Sequence, residues 1–438
     1  MAHLNMSISR NKLTALCLGL SLWLLGCGGE DKSSKVSFLA ADGQVNLVTA
    51  TPTSVNAFAA ARFLEQASWG PTPASVVEVQ RLGMEGWLDQ QLAMKSSDLN
   101  PPNYVIDYEM NNRAAQELAF SWLRARFNDV GLGGADQLRQ RMAWALYNFI
   151  VLGQNGQALG QLEYYNMMQR QALGPFADLI RAVTLNPSMG AFLNNNENTA
   201  GRPNENYARE LMQLFTVGLT KLGADGSILR DAQGRSLETY TQADVIMATK
   251  ALSGWQNDWK ETPKSDSENA RVPMKPRSNA DAHDTTQKVL LGKTIPAGQT
   301  IQKDLESVIG ILAGHPNTAP FVVKRLIQSL VSSDPSPEYI ARVGYVFVQS
   351  GGHLGKVAKA ILMDPEARAG DDPKNQLPRI GKIKEPILFQ MSFLRALGCK
   401  SAVVNRNNPN NLFDSQQEPY KALSVFGHFA PNHKAPES

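Results

Sequence analysis

The chain has 438 residues, of which 43% are hydrophobic, enough apolar material for a sizeable core. Only 19% are charged and the formal net charge is +3, which excludes the dense basic footprint of a nucleic-acid-binding surface. Three cysteines, Cys17, Cys27 and Cys399, are too few for a disulfide framework.

The N-terminal stretch carries an export pattern. Arg10 and Lys12 precede an apolar run over 13–26 that is too short to span a bilayer comfortably. Leu24-Leu25-Gly26-Cys27 resembles the bacterial lipobox, which implies that residues 1–26 are a lipoprotein signal peptide and that Cys27 is acylated. An ordinary signal peptide that happens to contain a cysteine is the competing reading. Gly28 stands where inner-membrane retention would place aspartate, so the expected location is the outer membrane, facing the periplasm or the surface. Several acyl chains on one residue anchor firmly, because each buried methylene adds about 0.8 kcal/mol. Cys399 is then the one thiol left, and with no basic cluster beside it, it reads as inert.

Residues 27–56 lack a sustained period and read as a flexible tether, after which 57–436 forms the folded body. Two arrangements fit that length: one helical domain or two closely packed lobes. Apolar periodicity predicts helices over 57–66, 74–82, 84–92, 116–127, 137–151, 162–173 and 176–185, with 116–127 and 137–151 amphipathic. Asn186-Pro187, His315-Pro316 and Asp364-Pro365 each place a capping side chain before a proline suited to the first helical turn. Further helices are expected after Thr241 and over 301–313, 316–331, 337–349, 354–363 and 384–397. Turn signals near 222–240 and strand-like runs over 288–296 predict small β-hairpin insertions, so the fold class is mainly α, a large multi-helix domain. Residues 256–281 read as a long polar loop.

The segment 203–218 holds the densest set of ionisable groups on a predicted helix. Tyr207, Leu211, Leu214, Phe215 and Gly218 form one apolar stripe; Glu205 and Arg209 lie opposite it, and Glu210 sits near its edge. A carboxylate buried there requires a partner, and an arginine of the 137–151 helix is the expected one. Together with His283 and Asp284 from the end of the long loop, Glu205, Arg209 and Glu210 supply the residue types of a hydrolytic or metal site. Carboxylates and imidazole ligate divalent cations, a carboxylate serves as base, and arginine holds an anionic substrate. The structural reading competes: Glu205 and Arg209 have the spacing and order of a helix-surface ion pair, and His283-Asp284 can simply fix a loop end. Walker loop, dinucleotide glycine fingerprint, His-Glu-x-x-His and Gly-x-Ser-x-Gly patterns are all absent, so no cofactor is assigned.

Several stretches, in order, resemble the bacterial family known as domain of unknown function 1800. They are Glu205-Asn206-Tyr207-Ala208-Arg209-Glu210-Leu211-Met212-Gln213-Leu214-Phe215, Tyr240-Thr241-Gln242-Ala243-Asp244-Val245, Ser253-Gly254-Trp255, His283-Asp284-Thr285, His315-Pro316-Asn317-Thr318 and Lys384-Glu385-Pro386. The resemblance covers roughly 58–436 and implies an exported protein without an established activity. It also implies an association with exported sulfatase-like or alkaline-phosphatase-like proteins, whose genes often lie beside those of the family. Two departures stand out. Gly427-His428 and Ala430 differ from the family's usual closing residues, and the chain stops soon after Ala435-Pro436, where relatives tend to continue, so a truncated closing layer is expected.

Three functions are compatible with this reading. The first is a lipid-anchored envelope protein that binds or supports an exported phosphatase-like or sulfatase-like partner. The second is a metal-assisted hydrolase of an anionic or polymeric envelope substrate, and the third an envelope-polymer-binding module using Trp255 and Trp259. The anchor is tested directly: Cys27→Ser is expected to abolish incorporation of labelled fatty acid and to move the protein out of the membrane fraction. A protein that stays membrane-bound and unlabelled with Cys27 intact would refute it.

Overall fold

The computed structural model describes residues 35–39, 45–49, 55–100, 113–153, 158–258, 270–374, 381–399, 417, 419–422 and 424–428. Residues 1–52 form one unit and residues 53–438 another. Cys27 and the signal segment lie outside the described residues. Within the stretch read as a tether, β1 (Lys35–Leu39) and β2 (Val45–Thr49) pair antiparallel, Lys35 opposite Thr49 and Leu39 opposite Val45. In the sequence, Asp42-Gly43 between the two runs is a hairpin turn signal.

Local side-chain chemistry starts most of the helices in the larger unit. Asn56 caps α1 (Ala57–Ala67) through the Ala59 N–H, and Thr72 with Ser75 makes a capping box for α2 (Pro73–Ala93). Gly83, at φ 72°, breaks α2 into the two predicted segments. α3 (Arg113–Gly133), α4 (Gln137–Tyr147), α5 (Ala158–Gln171) and α6 (Phe176–Thr184) follow. Asn186 caps α7 (Pro187–Phe192) as expected.

The 203–218 segment is α-helical only as α8 (Asn206–Glu210) and continues as a π-helix over Leu211–Thr216. Tyr207, Leu211, Phe215 and Gly218 of the predicted stripe are buried and Leu214 packs partly exposed at the core's edge, while Met212 and Thr216 are buried as well. Thr216 Oγ1 donates to the Leu211 carbonyl (2.6 Å), and the element closes at Gly218, whose N–H reaches the Met212 carbonyl (2.9 Å).

The predicted insertions are present. Isolated antiparallel bridges join Thr220 to Glu238, Leu222 to Ile228 and Arg230 to Ser236, and β5 (Lys288–Leu290) pairs with β6 (Lys293–Ile295). Between them come α9 (Gln242–Ala251), capped by Thr241 and Asp244, and a short pair, β3 (Trp255–Gln256) with β4 (Lys275–Pro276). The remaining helices are α10 (Ile301–Ala313), α11 (Thr318–Leu330), α12 (Pro337–Gln349), α13 (Leu354–Met363), α14 (Pro365–Arg368) and α15 (Pro386–Ala396). One start differs from expectation. α11 begins at Thr318, and His315 Nδ1 accepts the Asn317 N–H (3.1 Å) in the preceding turn instead of capping at Pro316.

α4 also departs from its predicted amphipathic character: among its residues only Arg139 is even partly exposed. α1, α2, α5 and α11 pack on it, and Trp69, Phe127, Trp144, Tyr147, Tyr165 and Tyr420 form a continuous aromatic cluster, edge-to-face except for the stacked Trp144–Tyr147 pair. No helix among the described residues is long and apolar enough to cross a membrane.

Gly218 sits at φ 72°, and a Cβ there would lie 2.7 Å from the Phe321 ring. Gly218→Ala therefore combines left-handed strain with overpacking and is expected to destabilise by about 2–4 kcal/mol, read as a lowered urea midpoint. An unchanged midpoint would show that the π-helix terminus is not pinned as described.

Candidate functional site

The five residues proposed from sequence fall into two groups. At the start of α9, Arg209 Nη2 lies 2.8 Å from Glu205 Oε2 and 2.9 Å from Gln242 Oε1, and the Gln242 amide donates to the same Glu205 oxygen (2.9 Å). Both charged side chains are more than a third exposed, so the pair contributes only a few tenths of a kcal/mol. Glu210 is half-buried and its Oε2 meets no donor among the described residues. Burial pushes its carboxyl above the usual range, with Arg209 opposing. The expected arginine partner from α4 is not there: Arg141 donates to the Ser329 carbonyl, and Arg139 to the carbonyls of Met94, Gln169 and Arg170.

His283 and Asp284 belong to a second group at the far end of α9. Gln242 and Lys250 are separated by about 12 Å of helix, at roughly 1.5 Å per residue. His283 Nδ1 donates to the Ser253 carbonyl (2.9 Å), which sets the tautomer, while Nε2 lies 3.3 Å from Asp304 Oδ2. Lys288 Nζ reaches the same Asp304 oxygen at 2.7 Å, and Gln299 donates to the other (2.8 Å). Asp284 accepts from Thr286 and lies 3.5 Å from Lys250.

Ser253, His283 and Asp304 thus share the residue types of a nucleophilic triad, but the hydroxyl is committed. Ser253 Oγ donates to the Lys250 carbonyl (2.7 Å), accepts the Asp284 N–H (2.9 Å) and is 3.4 Å from His283 Nδ1, a ring nitrogen that is already a donor. Ser253 is fully buried. A nucleophile needs a base placed to take its proton and access to substrate, and both are missing here. The cluster clamps β5 to α9 and α10.

No hydrogen bond or ion pair joins Glu205, Arg209 or Glu210 to His283 or Asp284. Among the described residues no three His, Cys, Asp or Glu side chains converge as a metal-ligand set. Trp255 is buried, which withdraws it from sugar stacking, and Trp259 lies outside the described residues.

A concave site does exist elsewhere. A cleft of ≈ 200 Å³ opens between the end of α1, α4, the end of α11 and the segment leading into α15, with Arg62, Glu65, Trp69, Arg141, Lys382 and Lys384 in its walls. Lys382 donates to the Ser329 carbonyl (2.8 Å) and lies 3.3 Å from Glu385. Glu385 in turn accepts from Trp144 Nε1 (3.1 Å), Asn148 Nδ2 (3.2 Å) and Gln417 Nε2 (3.0 Å). Burial pushes the Glu385 carboxyl up, yet the Lys382 and Arg141 charges and these donors outweigh it and hold it below the usual range. The signal in the sequence was Lys384-Glu385-Pro386, two ionisable groups directly before a helix-start proline.

A family model matches over residues 62–438, described as a protein of unknown function (DUF1800). The chain belongs to the DUF1800 family. No curated protein and no solved structure matches it.

Asp304 gives a test of the clamp. Burial pushes its carboxyl up, but hydrogen bonds from Lys288 and Gln299 with the Lys288 charge prevail and hold it below the usual range. Its stabilisation is thus present above the ordinary carboxylate pKa of about 4 and is lost as pH falls through the depressed folded value. Asp304→Asn removes the nearer carboxylate of the buried Lys288, leaving Asp284 at 3.8 Å, and is expected to destabilise by about 2–4 kcal/mol at pH 7, with a weaker acid dependence of the melting temperature below pH 4. Wild-type stability and acid response in this variant would contradict the assignment.

Proposed function

We propose that the chain is an envelope protein, anchored by lipid on Cys27, that works by holding a protein partner instead of by catalysis. The observation that carries this reading is an apolar surface around α15: Ile383, Phe389 and Leu397 are 73%, 59% and 62% exposed. Phe389 and Leu397 are two helical turns apart and so share one face, while Ile387, Leu388, Met391 and Leu394 bury the other. Large apolar groups grouped on a surface mark interaction sites more often than isolated ones do. The committed state of His283, Asp284 and Ser253 also supports binding over chemistry. The partner that fits best is the exported phosphatase-like or sulfatase-like protein implied by the family resemblance, on the periplasmic or outer face of the outer membrane.

The test is cross-linking in intact envelopes, mild solubilisation, and identification of the recovered partner by mass spectrometry. A phosphatase-like or sulfatase-like protein is expected with the wild-type chain and a several-fold lower recovery with Phe389→Ser/Leu397→Ser, surface changes that leave the melting temperature nearly unchanged. Recovery of the chain alone, or undiminished capture by the double variant, would overturn the proposal. So would self-association through this face in sedimentation experiments.

A further inference from the structure

Three of the cleft's four cationic side chains have a carboxylate partner. Lys382 has Glu385 at 3.3 Å, Lys384 has Glu65 at 2.6 Å, and Arg62 has Asp371 at 2.7 Å, an oxygen pair it shares with Arg368. Arg141 has none. It is 1% exposed, one nitrogen donates to the Ser329 carbonyl, and Nε and Nη1 meet no acceptor among the described residues. At least three of the five N–H donors that a guanidinium presents are therefore uncommitted. The Ser329 carbonyl already serves two cations, Arg141 and Lys382, and the buried Ser329 hydroxyl is itself without a partner.

A guanidinium stripped of water with its donors unmatched is among the costliest arrangements in a folded chain, and a structural arginine would be expected to have them filled by a carboxylate or, as in Arg395, by backbone carbonyls. Burial pulls Arg141 down to about 10, with Glu385 and Glu65 opposing, so it stays charged at neutral pH. Lys382 beside it is pulled down to about 8 by burial. Both effects describe a pocket whose positive charge is held in place and incompletely balanced.

We propose that this cleft is a binding site for a small carboxylic acid, whose carboxylate accepts from the Arg141 guanidinium while its apolar body lies against Leu330, Val331 and Leu388. The planar fork of arginine matches a carboxylate in two parallel hydrogen bonds. Glu65 and Glu385, both near enough to act on the Arg141 charge, disfavour a second negative charge, so a singly charged anion fits better than a phosphate or sulfate dianion. The volume, ≈ 200 Å³, is below the range of sites for drug-sized ligands, roughly 300–1,000 Å³, and suits an acid of about ten heavy atoms. This site is independent of the apolar surface on α15.

The test is calorimetric titration of the full chain with benzoate, and separately with phosphate and sulfate. Saturable one-to-one binding of benzoate is expected, with phosphate and sulfate at least tenfold weaker. Arg141→Lys keeps the charge but loses the fork, and is expected to weaken benzoate at least tenfold. Because Arg141 is buried and its variant can fail to fold, Glu65→Gln on the rim carries an opposite prediction: removing a negative charge should tighten benzoate several-fold. Absence of saturable benzoate binding by the folded wild type overturns the proposal, as does equal or tighter binding of the dianions. Affinity unchanged in Glu65→Gln overturns it as well.

Discussion

The burial of α4 on every side is the constraint that the larger unit obeys. A helix in that position is ordinarily apolar all round, yet this one carries Gln137, Gln140 and Arg141 among its buried residues. Each buried polar group left unpaired would forfeit on the order of 1–3 kcal/mol, so the neighbours are placed by the need to satisfy them. Gln137 receives the Trp69 N–H and donates to the Gly131 and Gly134 carbonyls; Gln140 receives the Trp69 indole N–H and donates to Asp136. The end of α1 and the end of α3 are thereby tied to one face of α4.

α15 is tied from its other side. Arg395 donates to the carbonyls of Gly70, Gly131 and Leu132, filling backbone acceptors that the turn after α1 and the last turn of α3 leave open. At the opposite end of α15, Glu385 stands at the N-cap position but makes no capping bond with its side chain. It gives that carboxylate to Trp144, Asn148 and Gln417 instead. A local cap is thus exchanged for a long-range junction between α4, α15 and the C-terminal segment, and the cleft is the space left between that junction and the end of α1.

What could be read from the sequence is what is encoded locally. Asn56, Thr72, Thr241 and Asp364 make their caps with residues two or three positions away, and Gly83 and Gly218 adopt positive φ where a chain break or a terminus calls for it. The Glu205–Arg209 pair, four residues apart, was legible for the same reason. Pairings between distant segments were not. Nothing in the spacing of His283 announces Asp304 on α10, and Arg141 gives no sign that Ser329, 188 positions away, is its acceptor. The π-helix escaped because the apolar residues of 207–218 fit an α period well enough, and the extra residue per turn is decided by Thr216 turning its hydroxyl back on the Leu211 carbonyl.

The two ionisable clusters that look most like chemistry are separated by saturation. Ser253, His283 and Asp304 are arranged in a suggestive line, but their hydrogen bonds are spent on backbone and on Lys288, so the group is rigid and closed. Arg141 has no such line of partners, and its neighbours look purely structural one at a time. It is distinguished by how much it lacks: in a neighbourhood where Gln137, Gln140, Trp144 and Arg395 have their donors matched, the Arg141 guanidinium leaves both Nε and Nη1 without an acceptor among the described residues. Folding alone gives no reason to keep such a charge when an apolar side chain of similar volume would be at least as stable. The carboxylate proposed for the cleft would supply the acceptors that the described residues leave out.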